Sequence, residues 1–253
     1  MLETYLRKRL EEKDILLMTH IVMGYPSFED SFNIVETMVE AGVDLMELQI
    51  PFSEPIADGP VILKANQKAL KEGATVQGCL DFAREVTQAF DIPFLFMTYY
   101  NILYTYGVER FVSAAAERGL QGFIIPDLPP EEGRDYLKAM GTHDLAPVFI
   151  FSPTTSDSRM QYIASFARGF VYCVARKGVT GMDTTFSAGL DAYLGRCRKA
   201  SHLPLALGFG VKERADVDFL KGKADIAVIG TQTIKLVEKE GVNSLGDFIR
   251  NLR

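Results

Sequence analysis

Two carboxylic acids, Glu47 and Asp58, stand near the end of a short apolar run and in the loop that follows it. The run 43–50 has the pattern of a buried strand, in which Glu47 and Gln49 share one face because successive side chains alternate. A carboxylate inside an apolar strand is costly to bury without a partner. Glu47 therefore either pairs with a lysine or a backbone amide, or does acid–base chemistry together with the second acid, Asp58.

Paired acids suit proton transfer when burial raises the pKa of one and the other stays ionised in a wetter loop. Other chemistries have less support, because the sequence contains no HExxH motif and no phosphate-binding P-loop motif. No lysine falls inside a predicted strand, as a Schiff-base enzyme would require. The residues thus indicate acid–base chemistry without a metal.

The elements that must position these acids alternate regularly along the chain. Apolar runs predict eight strands, at 15–23, 43–50, 93–98, 121–125, 146–151, 169–174, 204–207 and 224–229. Segments with helical spacing separate them, and a further helix is predicted at 2–12. This order predicts an α/β protein with one domain over 1–253, a (β/α)8 TIM barrel with an extra N-terminal helix. A doubly wound open sheet is the alternative, but it would have fewer strands in this length.

Glycine-bearing turns follow the last three predicted strands. They lie at 178–181, 208–210 and 230–231, where backbone N–H groups can approach an anion and a helix begins. A single glycine-bearing turn is explained by the backbone conformation of the turn and does not by itself indicate an anion site. Because barrels often bind a phosphate group at the loops after strands seven and eight, the three together predict a substrate phosphate site.

Composition narrows the class of protein. With 47% hydrophobic residues the chain can bury a large core, and its net charge of −6 gives no support for nucleic-acid binding. The three cysteines and three histidines are too scattered to predict a disulfide or a metal site. No run is apolar enough for a membrane span and no signal segment is visible, so a cytoplasmic protein is expected.

Five segments together resemble the α subunit of tryptophan synthase, and the resemblance covers essentially the whole chain. They are 47–60 (ELQIPFSEPIADGP, against the family pattern ELG(I/V)PFSDPxADGP), 99–107 (YYNILYTYG), 126–132 (PDLPPEE), 178–181 (GVTG) and the pair 208–210 with 230–231. The resemblance implies a (β/α)8 barrel that cleaves indole-3-glycerol phosphate to indole and glyceraldehyde 3-phosphate. It also implies a β-subunit partner in an α2β2 assembly. Pyridoxal phosphate is then expected only in the β subunit, which receives indole through a tunnel.

The resemblance implies roles for individual residues. Glu47 matches the glutamate that protonates indole C3 and assists at the glycerol hydroxyl, and Asp58 matches the aspartate that holds the indole N–H. The phosphate-binding positions are Gly181, Gly210, Gly230 and Thr231. The matches in the substrate pocket and its closing loop are Tyr99, Tyr172 and Thr180, the last of which bonds the catalytic aspartate on closure. The positions implied to face the β subunit are Glu54, Pro55, Asn101 and Pro129, with Asn101 and Pro129 expected in loops.

This sequence departs from the family pattern near the substrate ring. Gln49 stands where glycine is usual, so its side chain enters the pocket and either hydrogen-bonds Glu47 or crowds the indole. His20 replaces an aromatic residue at the end of the first strand. It is either a third acid–base group or, in the favoured interpretation, a neighbour with which Gln49 compensates. Glu54 and Thr231 replace aspartate and serine.

Two alternatives to the lyase remain at this stage. One is a catalytically weakened subunit that binds and regulates the β subunit without turning over substrate. The other is a lyase for a related phosphorylated compound, since the altered positions lie near the ring and not near the phosphate.

Overall fold

The computed structural model describes residues 2–175, 183–208 and 210–253, and the side chains of 183–188 are outside this description. The eight strands are β1 Leu16–Val22, β2 Leu45–Gln49, β3 Phe94–Met97, β4 Gly122–Ile124, β5 Ala146–Phe151, β6 Val171–Val174, β7 Leu205–Gly208 and β8 Ile226–Ile229. They form a closed barrel in sequence order, in which every neighbouring pair is parallel and β8 pairs with β1. The prediction of a (β/α)8 barrel is confirmed, and the open-sheet alternative is wrong.

Helices follow the strands around the outside of this barrel. They are α1 Leu2–Glu12, α2 Phe28–Glu40, α3 Pro60–Lys71, α4 Val76–Ala89, α5 Tyr100–Tyr106, α6 Val108–Ala116, α7 Arg134–Thr142, α8 Asp157–Ala164, α9 Asp183–Ala200, α10 Arg214–Leu220, α11 Thr231–Glu240 and α12 Ser244–Asn251, with a 3-10 turn at Pro130–Glu132. Local chemistry fixes several helix starts. The Ser27, Thr75 and Ser156 hydroxyls accept backbone N–H bonds from the first turns of α2, α4 and α8. The N-terminal helix is confirmed with the predicted bounds.

Helix α5 was not predicted, because the sequence around Tyr99 and Asn101 reads as a loop. The Asp127 carboxylate, 27 residues further along the chain, accepts the backbone N–H of Tyr100 at 2.9 Å at the start of α5. Within this helix, the side chains of Ile102 and Leu103 are buried. A cap supplied by a distant loop leaves no signal in the local sequence.

Inside the barrel, an apolar layer fills the end from which the strands start. Met18 of β1 is in register with Leu45 of β2 and with Val228 of β8, and all three side chains are buried. Two residues further along the first two strands, the same inward face carries His20 and Glu47. The apolar layer therefore forms a floor, above which polar groups face the carboxyl ends of the strands.

A buried carboxylate ties both ends of the chain to the opposite end of the barrel. Asp44, just before β2, is contacted by Lys13 at 2.5 Å, Arg9 at 3.1 Å and Arg253 at 2.7 Å, and it accepts the backbone N–H of Leu17 at 2.9 Å. Although burial opposes ionisation, Lys13, the backbone N–H of Leu17 and Arg253 hold the pKa of Asp44 below its usual value. Asp44 therefore fixes α1 and the last residue of the chain against the barrel.

Candidate active site

Strand β2 presents Glu47 and Gln49 to the barrel interior, as the alternation in the sequence predicts. Glu47 is in register with His20 of β1, and both side chains are 4% exposed. His20 Nδ1 lies 3.3 Å from Glu47 Oε1, and the hydroxyl of Tyr172, on β6, lies 3.5 Å from the same oxygen. Burial beside Glu47 raises the pKa of Tyr172 well above its usual value, so its hydroxyl stays protonated and donates. The Glu47 carboxylate is thus contacted from two other strands.

The second acid, Asp58, is held by groups that differ from those around Glu47. Gln49 donates from Nε2 to Asp58 Oδ2 at 2.7 Å, and the Tyr99 hydroxyl donates to the same oxygen at 3.1 Å. The Tyr99 oxygen in turn accepts the backbone N–H of Ala57 at 3.1 Å. The expectation that Gln49 bonds Glu47 is therefore wrong, since its amide donates to Asp58, and the expectation that it crowds the indole stays a prediction.

The expected wetter loop acid is only partly exposed, and its ionisation stays a prediction. Asp58 is partly buried, and this burial raises its pKa although the bonds from Gln49 and Tyr99 and the neighbouring His20 favour the carboxylate. The loop after β2 folds back over the barrel mouth, which the sequence of the loop does not reveal.

Asn66 is a supporting residue that the sequence analysis missed. It is fully buried in α3, where its Oδ1 accepts the backbone N–H of Phe52 at 2.9 Å and its Nδ2 donates to the Ile62 carbonyl at 2.8 Å. Phe52 in turn stacks on Tyr99 with ring centroids 5.2 Å apart. Asn66 thereby anchors the start of the loop that carries Asp58. The available signal was a polar residue on the apolar face of a predicted helix, between Ile62 and Ala69.

The predicted phosphate positions lie at the same barrel mouth. Gly210 follows β7, Gly230 follows β8, and Thr231 is the first residue of α11, whose free N–H groups and positive dipole end favour an anion. Close packing explains Gly208 nearby, because a Cβ there would come within 3.0 Å of the Tyr172 ring. These positions line a cavity of about 220 Å³. The full lining of this cavity is His20, Glu47, Ala57, Asp58, Ile62, Met97, Ile124, Pro126, Ile150, Tyr172, Val174, Gly208, Gly210, Val228, Gly230 and Thr231.

This cavity brings together both acids, His20, Tyr172 and three of the four predicted phosphate positions. Tyr99 and Gln49 are not part of the cavity lining, but both hydrogen-bond Asp58, which is. The fourth phosphate position, Gly181, and the predicted pocket residue Thr180 lie outside the described residues.

The residues expected to face a partner differ in their exposure. Glu54 is exposed, Pro129 is partly exposed in a loop, and Pro55 is buried. Asn101 is exposed but belongs to helix α5, so the prediction that it lies in a loop is wrong. Their exposed apolar neighbours are Ile56, at 83% exposure, and Tyr104, at 72%.

A larger groove, of about 720 Å³, opens at the other end of the barrel between α1 and the starts of β4, β5 and β6. Charged surface side chains such as Arg7, Lys8 and Arg168 line it, and neither Glu47 nor Asp58 does.

In the part of the chain that the structure describes, no group of three or more side chains that could bind a metal ion is found. No described helix is long and apolar enough to cross a membrane.

Fold and site together define a (β/α)8 barrel of the enzyme class, in which two acids and glycine-bearing turns share a cavity at the carboxyl ends of the strands. The family model for the tryptophan synthase alpha chain matches residues 6–250. The chain belongs to the tryptophan synthase alpha chain family.

Similar proteins agree along the whole chain. The tryptophan synthase alpha chains of Syntrophotalea carbinolica and Desulforapulum autotrophicum are each 64% identical, over 253 and 252 residues, with 100% of both chains covered. Among solved structures, an aminoacrylate-bound tryptophan synthase from M. tuberculosis superposes with a TM-score of 0.90 at 28% identity, covering 99% of this chain and 97% of the other. Tryptophan synthase subunit alpha from Legionella pneumophila gives 0.91 at 29% identity, covering 99% and 96%.

Proposed function

We propose that this chain is a carbon–carbon lyase that cleaves indole-3-glycerol phosphate to indole and glyceraldehyde 3-phosphate, in tryptophan biosynthesis. The observation that carries the proposal is the shared cavity, in which Glu47 and Asp58 lie at the same barrel mouth as Gly210, Gly230 and Thr231. An acid pair beside an anion-binding turn fits a substrate that has a phosphate at one end and a protonatable ring at the other. Family membership supports the same reaction.

The chemistry needs one proton delivered and one removed. The bond between indole C3 and the adjacent hydroxyl-bearing carbon breaks when C3 receives a proton, and that hydroxyl loses its proton as the aldehyde forms. Glu47 is proposed to give the first proton and to accept the second, so the enzyme ends the cycle with its original proton count. Asp58 is proposed to accept the indole N–H and to stabilise the positive charge that develops on the protonated ring.

Phosphate binding is proposed to fix the position of the substrate along this cavity. Gly210 and Gly230 let backbone N–H groups approach the phosphate, and Thr231 adds a hydroxyl at the start of α11. Gly181 and Thr180 are proposed to complete the site from the loop after β6. The chain itself is proposed to need no cofactor.

The proposed partner is a tryptophan synthase β subunit, with pyridoxal phosphate bound only there, in an α2β2 assembly. Support comes from the family and from the exposed apolar side chains Ile56 and Tyr104, which flank the barrel mouth beside Glu54 and Asn101. Burial of these two side chains against a partner would remove apolar surface from water. The reaction is proposed to take place in the cytoplasm, and the free thiols Cys79, Cys173 and Cys197 are consistent with a reducing compartment.

The test is indole release from indole-3-glycerol phosphate by the purified chain, alone and with a tryptophan synthase β subunit added. We expect release in the wild type that increases with the β subunit. Glu47→Gln should lower kcat by a factor on the order of 10²–10⁴ while KM changes little, because it removes the proton-transfer group and leaves the phosphate site intact.

Normal turnover by Glu47→Gln would exclude the role given to that residue. A wild type that binds the β subunit but releases no indole would instead support the regulatory subunit. Release from another phosphorylated compound alone would support the altered substrate, which the polar side chains of His20 and Gln49 at the ring end favour.

A further inference from the structure

His20 is a buried side chain at this site whose bonding a purely structural role does not explain. A histidine that only stabilises a fold usually has both ring nitrogens hydrogen-bonded. Here Nδ1 faces Glu47 at 3.3 Å, while Nε2 is buried and makes no hydrogen bond with any described residue. The contact of the ring through Nδ1 is thus made with Glu47, the acid proposed to transfer the proton.

The position of His20 is set by the barrel itself. Parallel pairing places His20 of β1 directly beside Glu47 of β2, and strand alternation turns both side chains to the interior. A Cβ on Gly230 would lie 3.6 Å from the Cβ of His20, so the end of β8 adjoins the other side of the histidine. Two strands therefore hold the imidazole against the carboxyl.

We propose that His20 is a positioning residue which shares a single proton with Glu47 and so keeps that carboxyl supplied with the proton it delivers to the substrate. The inference rests on the proposed function. With one proton, the pair is either imidazolium and carboxylate or imidazole and carboxylic acid, and both forms carry the same total charge. Because separated charges are costly in a buried site, the form with a protonated Glu47 is accessible.

The proton balance of the reaction fits this pair. Glu47 gives its proton to ring carbon, the substrate hydroxyl returns one proton as the aldehyde forms, and the pair regains its starting state. Because His20 Nδ1 lies 3.3 Å from the Glu47 carboxyl, a proton held by the pair stays within reach of the atom that delivers it.

The electrostatic surroundings favour retention of the shared proton. Although burial opposes a charged ring, Glu47 and, more weakly, Asp58 and the Gln49 side chain raise the pKa of His20. The other polar groups facing the pair are Gln49 from β2, Asp58 from the following loop and the neutral Tyr172 hydroxyl from β6. Among the described residues, those that β8 and α11 contribute to the cavity lining are Val228, Gly230 and Thr231, and none of these carries a charge.

The first experiment is the pH profile of kcat/KM for indole release, measured on the full-length wild type and on His20→Gln and His20→Phe. In the wild type, activity should fall at alkaline pH as the pair loses its proton. Without the imidazole this fall should begin at least about one pH unit lower, so the variants lose roughly tenfold or more relative to the wild type at the alkaline end. His143→Gln is the matched control, because His143 pairs with Glu109 at 3.0 Å on the outer surface, and its profile should not move.

The second experiment needs no turnover. NMR titration of the ring of His20, assigned by its loss in His20→Gln, should show its pKa falling by about one unit or more in Glu47→Gln. An unchanged pKa, or variant profiles lowered by one factor at every pH, would overturn the proposal. A wild type that releases no indole would contradict the proposed function alone, since the titration still decides whether the two groups share a proton.

Discussion

Gln49 donates from Nε2 to Asp58 Oδ2 at 2.7 Å, and this bond joins the last residue of β2 to the loop that follows it. The same amide nitrogen lies 3.5 Å from Asn66 Oδ1 in α3. Gln49 therefore connects the strand, the loop and the next helix. In a family whose pattern has glycine at this position, the present chain holds its second acid with a side chain from the barrel wall.

Gln49→Met should lower kcat/KM by a factor of roughly 10–100, because a hydrogen bond to a charged group contributes about 1.5–3 kcal/mol. Methionine keeps the length of the side chain and removes its donor. Steady-state kinetics would measure the effect. Gln77→Met is the control, since Gln77 makes a comparable bond to Asp81, at 2.9 Å on the exposed face of α4, and should leave activity unchanged. Equal activities for the two variants would show that Gln49 does not position Asp58.

Asp58→Asn should inactivate the enzyme and stabilise the fold. Burial raises the pKa of Asp58 in the folded state above its unfolded value of about 3.9, so ionisation of this group disfavours folding as pH rises. An asparagine oxygen could accept both bonds now made to Oδ2 by Gln49 and Tyr99. We expect Tm to rise at pH 7, with kcat reduced on the order of 10²–10³-fold.

Thermal unfolding at two pH values checks the sign of this effect. The gain in Tm of Asp58→Asn over the wild type should shrink toward pH 4, where the aspartate regains its proton. A gain that is larger in acid would contradict the assigned direction of the pKa.

Gly210→Val should raise KM by about tenfold or more with a smaller change in kcat, because a branched side chain blocks the approach of a phosphate to the backbone. Gly210 has a φ of +85°, so valine also strains the turn. Gly222→Val is the matched control, since Gly222 has a φ of +76° with no atom within 4 Å of an added Cβ and lies before β8 at the opposite end of the barrel. The same change of KM in both variants would mean that strain, and not phosphate binding, is responsible.

Asp44→Asn should destabilise the protein by about 3 kcal/mol at pH 7, because it removes the partner shared by three basic side chains at a buried site. The folded-state pKa of Asp44 is lowered, so its stabilisation is complete above about pH 3.9 and is lost as pH falls through the folded value. Urea unfolding of the variant should therefore converge with that of the wild type in strong acid. Asp247→Asn, which breaks the exposed pair with Arg250 at 2.8 Å, should cost less than about 0.5 kcal/mol.

The sequence by itself determined the eight strands and their order, because buried parallel strands leave apolar runs and the helices between them leave a 3.6-residue period. It also placed Glu47 and Gln49 on one face, since alternation along a strand needs no tertiary information. The glycine turns after β7 and β8 were readable for a similar reason, because a tight backbone turn restricts the residue type locally.

Only the tertiary structure decided which groups meet. The His20–Glu47 contact depends on the register between β1 and β2, and the start of α5 depends on Asp127 from the loop after β4. The fold of one loop over the barrel mouth gave Gln49 its partner and raised the pKa of Asp58. These residues are far apart in sequence, or they meet only because a loop folds in a particular way. Periodicity predicts which face of a strand a side chain lies on, but it does not predict which side chain of another element lies next to it.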